Sequence, residues 1–294
     1  MKYLFLLFPF LFATTFNTEQ VNEKFTKPDH IIIVMEENHS FDQIIGSPDA
    51  PYINTLAREG ALFTDAHGVV HPSQPNYIAI FSGSTQGISD DKCLKKTFFN
   101  TPNLGASLQK KGYAFAGYAQ TMPSEGFTGC YYKLSSLTKA YLYGRKHCPW
   151  VHWQGKGKYQ LSPSISHPMT EFPNDFSKLP TVSFVIPDMD HDMHNIGKDG
   201  DAHAIQRGDQ WLRDNLKKYV DWAQSHNSLL IITFDEDNFQ KQNHIPTIFV
   251  GPMVKPGRYS ERINHYNVLR TIEAMYNLPK SGNANETAIT GIWK

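Results

Sequence analysis

His30-Ile31-Ile32-Ile33-Val34-Met35 runs directly into Glu36-Glu37-Asn38. A short run of β-branched apolar residues without polar alternation is the pattern of a strand buried on both faces. Two further runs repeat the arrangement. TVSFVI at 181–186 leads into Pro187-Asp188-Met189-Asp190-His191-Asp192-Met193-His194, and LLIITF at 229–234 leads into Asp235-Glu236-Asp237-Asn238. Strands covered on both sides belong to parallel sheets, whose crossovers need helices. The intervening segments supply them: residues 53–59, 76–82, 104–111 (stopped by Gly112), 209–225 and 266–276 read as helices. The 209–225 segment carries Trp211, Leu212, Leu216, Val220, Trp222 and Ala223 at helical spacing. Further strands are expected at 60–64, 113–118 and 247–250. The expectation is an α/β fold with a mainly parallel central sheet flanked by helices.

Periodicity fades between residues 120 and 173, a stretch rich in Ser, Gly, Pro and aromatics. It is expected to form a loop-rich cap inserted over the site. The start of the chain reads as a signal peptide over residues 1–18. Lys2 supplies a positive charge, an apolar run follows from Tyr3 to Ala13, and a polar stretch comes next. That run is too short to span a bilayer. Residues 19–294 are then one exported domain, secreted or periplasmic, with no stable membrane span. Lysine plus arginine (28) balance aspartate plus glutamate (28), which gives no reason to propose nucleic acid as a partner. Cys93, Cys130 and Cys148 match no zinc spacing. In an exported chain a Cys93–Cys130 bridge closing a lid-like loop is the first expectation, and three unpaired thiols packed as small hydrophobes are the alternative.

Ligands in open α/β sheets bind at the carboxyl ends of the strands. Three strands that each deliver acids or histidines to that edge would converge on one pocket. Carboxylates so gathered repel one another unless a cation lies among them. Mixed Asp, Glu, His and Asn ligation suits zinc, manganese, iron or calcium. Ser73 stands in the turn His71-Pro72-Ser73-Gln74-Pro75, between a strand and a helix start, where an anion is favoured. A nearby cation would activate its hydroxyl. There is no G-x-S-x-G elbow of a carboxyl-ester hydrolase.

Val34-Met35-Glu36-Glu37-Asn38-His39-Ser40-Phe41-Asp42, with Gly46 beyond it, resembles the ENxSFDxxxG opening of the phosphoesterase family that holds bacterial phospholipases C and many acid phosphatases. His71 to Tyr77, followed by Ser82-Gly83, resembles that family's HPSxPNYxxxxSG block. It is also similar to the nucleophile turn of nucleotide pyrophosphatases. Both groups belong to the alkaline phosphatase superfamily. Blocks at 118–123, 145–149, 187–194, 209–212, 234–236 and 264–272 continue the resemblance in order. Gln120 replaces the usual acid of its block, and Cys148 replaces an asparagine.

The resemblance implies an alkaline phosphatase-like fold and a metal-dependent phosphoesterase, acting on phosphate monoesters through a phosphoserine at Ser73. A phospholipase C or other phosphodiesterase is the alternative, and outside the class, a non-catalytic binder of phosphate ligands. It implies one or two divalent cations, with Glu37, Asn38, Ser73, Asp235 and Glu236 around the first. Asp192, His194 and His265 would hold a second. Asn76, Lys146 and His147 would contact a small-molecule or lipid phosphate ester. Register alone does not choose among Asp188, Asp190, His191, Asp192 and His194.

Overall fold

A computed structural model of the chain describes residue 1, residues 25–95 and residues 98–294. Apart from Met1, the leader expected over residues 1–18 lies outside the described residues. In chain order the elements are β1 (His30–Glu36), α1 (Phe41–Ile44), α2 (Pro51–Glu59), β2 (Ala61–His67), α3 (Ser73–Ser82), α4 (Leu104–Lys110) and β3 (Phe115–Ala119). There follow β4 (Tyr131–Leu134), β5 (Tyr141–Gly144), β6 (Ser166–Pro168), β7 (Val182–Ile186), α5 (Asp201–Ala223), β8 (Ser228–Phe234), β9 (Thr247–Val250), β10 (Gly257–Asn264) and α6 (His265–Met275). Short 3-10 turns punctuate the stretch between β5 and β7.

Among the described residues eight strands form one sheet in the order β10-β2-β9-β8-β1-β7-β3-β6, and of these only β9 runs against the rest. The sheet is therefore mainly parallel, as the apolar runs require. β1 lies at its centre, between β7 and β8. Ile31 through Met35 are completely buried, which explains why the run lacks polar alternation. Each such side chain contributes roughly 1.5–3 kcal/mol by leaving water. The parallel register pairs Val34 with Val185 and Glu36 with Phe234. The acidic turns after β1, β7 and β8 thus leave the sheet along one edge.

α5 begins at Asp201, eight positions before the expected start, because the polar residues before Gly208 hide its first two turns. Gly208 is required inside this helix, since a Cβ there would strike Met193 in the turn after β7. Asp209 accepts hydrogen bonds from the Tyr52 and Ile53 amides at 3.0 and 2.7 Å, capping the first turn of α2. β2 extends to His67, and β10, absent from the sequence expectation, pairs with it along its exposed side. The half-exposed GRYSERIN of β10 carries no apolar run to mark it, as befits an edge strand.

The stretch 120–173, expected to be a loop-rich cap, contributes to the main fold. It supplies β6 to the edge of the main sheet and a separate β4–β5 hairpin. Trp150 and Trp153 pack completely buried into the main core. Gly117 of β3 lacks a side chain where the Trp150 ring lies against it. Cys93 and Cys130 are joined, tying the base of the hairpin to the loop after α3, and Cys148 is a buried free thiol.

Candidate active site

Ser73 is the first residue of α3, a helix buried along its whole length. The turn before it is set by Asn76. Its side-chain oxygen accepts from the Val69 and Val70 amides at 2.8 and 3.1 Å, and its amide donates to the Val70 and Pro72 carbonyls. Asn76 was expected to meet a phosphate oxygen. Here its hydrogen-bonding groups are spent on holding the turn that presents Ser73. The Gln74 amide donates to Asp91 at 2.8 Å, so one of the free N–H groups at this helix end is already occupied.

The Ser73 hydroxyl donates to Glu37 Oε2 at 3.0 Å and lies 3.4 Å from Glu236 Oε1. Glu37 follows β1 and Glu236 follows β8, so the sheet register delivers both. Between them, the Asn38 amide donates to Asp235 Oδ1 at 3.0 Å. Asn38 has a left-handed backbone (φ 56°), which asparagine tolerates better than most residues and which turns the chain across the strand ends.

The turn after β7 offers five acidic or histidine side chains, and their partners separate them. Asp188 receives the Thr121 hydroxyl, the Asp190 amide and the His191 ring. Asp190 receives Ser135 and Asn195. These three side chains hold the turn itself. Asp192 is completely buried, with Oδ1 on the His194 amide and Oδ2 without a donor. Oδ2 lies 3.4 Å from His147 Nδ1, while His147 Nε2 lies 3.0 Å from Glu37 Oε1. The latter pair is close but misaligned for a hydrogen bond. Glu37, His147 and Asp192 bring potential ligand atoms within 4.8 Å of one another. Asp235 Oδ2, Asn38 Oδ1 and Glu37 Oε1 are likewise buried without donors. Buried carboxylate oxygens carry a large desolvation cost unless a cation or proton meets them, so this donor set fits a divalent cation.

The electrostatics agree. Burial, then the neighbouring Glu37 charge, pushes the Asp235 and Asp192 carboxyls well above the usual range. The same causes, with Asp91 added, raise Glu236 to about 8. Burial holds the His147 ring well below its ordinary value, helped by the nearby Lys146 charge, so it is a neutral nitrogen donor. The ring stacks on Tyr77 of α3 at 4.9 Å, which fixes its plane. Lys146 pairs with Asp91 at 2.6 Å and is nearly buried. Burial alone would lower its pKa, but Glu37 and Asp91 more than offset that, so its charge is retained.

Two expected residues stand apart. His265 is buried with Nε2 on the Asp235 carbonyl at 2.7 Å, where it braces the β8 turn from behind. His194 lies half-buried with its ring centroid 6.0 Å from that of His147, and its Nδ1 is 3.3 Å from Asn195. His71, two residues before Ser73 in the same turn, meets the cluster from outside. Its Nδ1 meets Glu236 at 2.6 Å and its ring stacks on Phe239.

The family model described as "Phosphoesterase family" matches residues 46–279. The chain belongs to the Phosphoesterase family. It is 45% identical over 267 residues to a phosphatidylinositol-3-phosphatase of Mycobacterium tuberculosis, covering 90% of this chain and 82% of that one. It is 29% identical over 235 residues to an acid phosphatase of Aspergillus fumigatus, covering 77% of this chain but spanning only 51% of that relative. Among solved structures, a protein in the alkaline phosphatase superfamily from Vibrio parahaemolyticus superposes with a TM-score of 0.58 at 15% identity, over 88% of this chain and 69% of that one. The fold is thus that of the alkaline phosphatase superfamily, and the chain is a hydrolase of phosphoric ester bonds.

Within this phosphoesterase, the position where family members carry an acid serves as an acceptor all the same. Gln120 Oε1 receives the Asp188 amide at 3.0 Å, a task the neutral amide oxygen performs as well as a carboxylate. Sequence reading assigned His147 to substrate, whereas the structure sets its ring between Glu37 and Asp192. The separation of 110 positions between His147 and Glu37 leaves no local pattern to reveal that contact.

Proposed function

We propose that this phosphoesterase hydrolyses phosphate monoesters with Ser73 as the nucleophile and with one or two divalent cations at the strand-end cluster. The observation that carries the reading is the Ser73 hydroxyl, held 3.0 Å from Glu37 among carboxylate oxygens that lack donors. Glu37, Asn38, Asp235 and Glu236 would hold a cation beside Ser73, with Asp192 and His147 on the far side of Glu37. Bound there, it would balance the clustered carboxylates, favour the ionised Ser73 hydroxyl and stabilise charge on the phosphoryl oxygens.

The protein's own groups then supply position. Glu37 accepts from the Ser73 hydroxyl and Glu236 lies beside it, so the two carboxylates hold the oxygen in place. The Ser73 proton passes to the Glu37 carboxylate that accepts it, and Ser73 Oγ forms its bond to phosphorus as the ester oxygen leaves in line with the electron pair of the broken bond and takes a proton from solvent. Water then attacks phosphorus, one of its protons going to the departing Ser73 Oγ, so that inorganic phosphate leaves, the hydroxyl is regenerated and Glu37 returns its proton to solvent. Lys146, held by Asp91 next to the cluster, would offer its charge to a phosphoryl oxygen. Asn76 and His265 act at one remove, by holding the turns that bear Ser73 and Asp235.

The names of the two relatives favour a monoester, and that of the mycobacterial protein favours one carried on a lipid headgroup. Export is part of the same proposal, and the Cys93–Cys130 bond supports it, because such bonds persist in oxidising compartments. The test is hydrolysis of p-nitrophenyl phosphate before and after chelation, with metals returned singly, alongside a diester of the same alcohol. Monoester turnover that is lost on chelation and restored by one metal is the expected result. Turnover that survives exhaustive chelation would overturn the metal assignment, and faster cleavage of the diester would move the reading to a phosphodiesterase.

A further inference from the structure

The β4–β5 hairpin takes no part in the chemistry above, yet it carries much of the exposed apolar surface. Ten large hydrophobic residues are exposed among the described residues. Five of them (Tyr131, Tyr132, Leu134, Leu137 and Tyr141) fall between positions 131 and 141, each 42 to 55% exposed. Tyr131 stacks on Tyr141 at 4.8 Å, and Leu134 is the cross-strand partner of Tyr141. Ile196 adds to the patch from the turn after β7, where Gly197 lies against Thr138. Tyr131 and Leu134 thus both flank Tyr141, and exposed apolar side chains clustered in this way mark an interaction site.

Charge identifies the partner. Between Glu125 and Glu171 there is no Asp or Glu, while Lys133, Lys139, Lys156 and Lys158 are exposed there, beside the buried Arg145 and the Asp91-paired Lys146. In a chain whose total charge balances, this is a strong local excess. Lys133 and Lys139 are exposed on the hairpin itself, and Lys198 is exposed beside Ile196. Tyrosines and leucines flanked by lysines suit the boundary between headgroups and acyl chains of an anionic membrane.

The hairpin is also firmly held, although two strands alone are marginal in water. Ser135 donates to Asp190 at 2.8 Å, the Met189 amide donates to the Leu142 carbonyl at 2.9 Å, and the disulfide ties Cys130 at its base. The first two anchors lie on the turn that carries Asp192. β5 leads directly into Lys146 and His147. The exposed patch and the catalytic cluster therefore share one edge of the sheet.

We propose that the β4–β5 hairpin docks the enzyme on an anionic lipid bilayer, its tyrosines and leucines entering the interface and its lysines meeting lipid phosphates. A substrate presented on that surface would reach Ser73 without leaving the membrane. That last step rests on the phosphatase reading, whereas bilayer binding does not.

The test is co-sedimentation of the full chain with vesicles of phosphatidylcholine containing phosphatidylserine, and with phosphatidylcholine alone. It compares the wild type, a Tyr131→Ser/Leu134→Ser/Leu137→Ser variant and a Lys133→Glu/Lys139→Glu variant. All three proteins share the same N-terminus, so differences among them read the hairpin. Expected are binding that favours anionic vesicles, a loss of at least tenfold in each variant, and unchanged rates on soluble p-nitrophenyl phosphate. The charge-reversal variant keeps every apolar contact, so it remains informative where the triple variant folds poorly. Wild-type protein that ignores anionic vesicles, or variants that bind as it does, would overturn the proposal. So would a hairpin-dependent dimer in solution that binds no vesicles, since the patch would then meet a second copy. Absence of p-nitrophenyl phosphate hydrolysis by the wild type would strike the phosphatase reading and leave the vesicle result to stand alone.

Discussion

Ser73 Oγ donates to Glu37 Oε2 at 3.0 Å, joining the first turn of α3 to the end of the central strand across 36 positions. Everything else at the site supports this contact. Asn76 shapes the turn on one side, and the register of β1 with β8 sets Glu37 next to Asp235 on the other. Replacing Ser73 by alanine removes the nucleophile and little else, because the side chain is small and the helix continues through it. Ser73→Ala should lower kcat on p-nitrophenyl phosphate by roughly 10⁴-fold or more while thermal unfolding stays within a few degrees of wild type. A folded Ser73→Ala protein with near-normal turnover would remove Ser73 from the mechanism.

His147 gives a second prediction. Its neutral ring lies between Glu37 and Asp192, so His147→Ala should weaken divalent-cation binding at least about tenfold. Calorimetric titration of the metal-free protein measures this directly. If His147 served the substrate alone, cation affinity would be unchanged and KM would rise instead.

Asn76→Ala tests whether the amide holds the turn or holds phosphate. Four hydrogen bonds are lost, two of them from the Val69 and Val70 amides, for a cost of about 2–4 kcal/mol. Denaturant unfolding should show that loss, and kcat should fall with Ser73 displaced. An increase in KM at unchanged stability would place Asn76 on the phosphate.

Without metal, stability should depend on pH with a definite sign. Burial and the Glu37 charge raise the folded-state carboxyls of Asp235, Asp192 and Glu236, the last to about 8. Groups whose folded pKa lies above the unfolded value bind more protons when folded, so stability is greatest below the unfolded value and is lost as pH rises. The melting temperature of the chelated protein should therefore fall between about pH 4.5 and pH 8, and a saturating divalent cation should flatten that slope. A melting temperature that rises with pH across this window in the chelated protein would contradict the assignment.

The Cys93–Cys130 bond closes a loop of sequence separation 37, worth about 4 kcal/mol in the chain-entropy account. It also fixes the segment bearing Asp91, the partner of Lys146. Cys93→Ser/Cys130→Ser should lose stability of that order and raise KM through a looser Lys146. Unchanged stability in urea titrations would show that the bond constrains little.

The legible parts of this molecule were those in which chemistry and periodicity coincide. The uninterrupted run at Ile31–Met35 reads as a strand buried on both faces, which β1 is, and its acidic successor Glu36-Glu37-Asn38 leaves at the carboxyl end of that strand. The place of Ser73 at a helix start was legible from its turn. What escaped notice lacks such coincidence. β10 is an edge strand whose polar residues look like a loop. The start of α5 is polar and interrupted by Gly208, a glycine needed for packing against Met193. Within 120–173, the buried Trp150 and Trp153 belong to the core, but 3-10 turns give them no period. His147 reaches Glu37 only through tertiary folding, and the choice of Asp192 over Asp188 and Asp190 depends on partners such as Thr121 and Ser135 that sequence spacing does not reveal.

The central claim is a phosphoryl group carried on Ser73. Enzyme turning over p-nitrophenyl phosphate is quenched in acid, digested, and mapped by mass spectrometry. Phosphate on the peptide containing Ser73, absent from Ser73→Ala, is the predicted result. Steady turnover with no phosphorylated peptide, or with the phosphate on another residue, would contradict it.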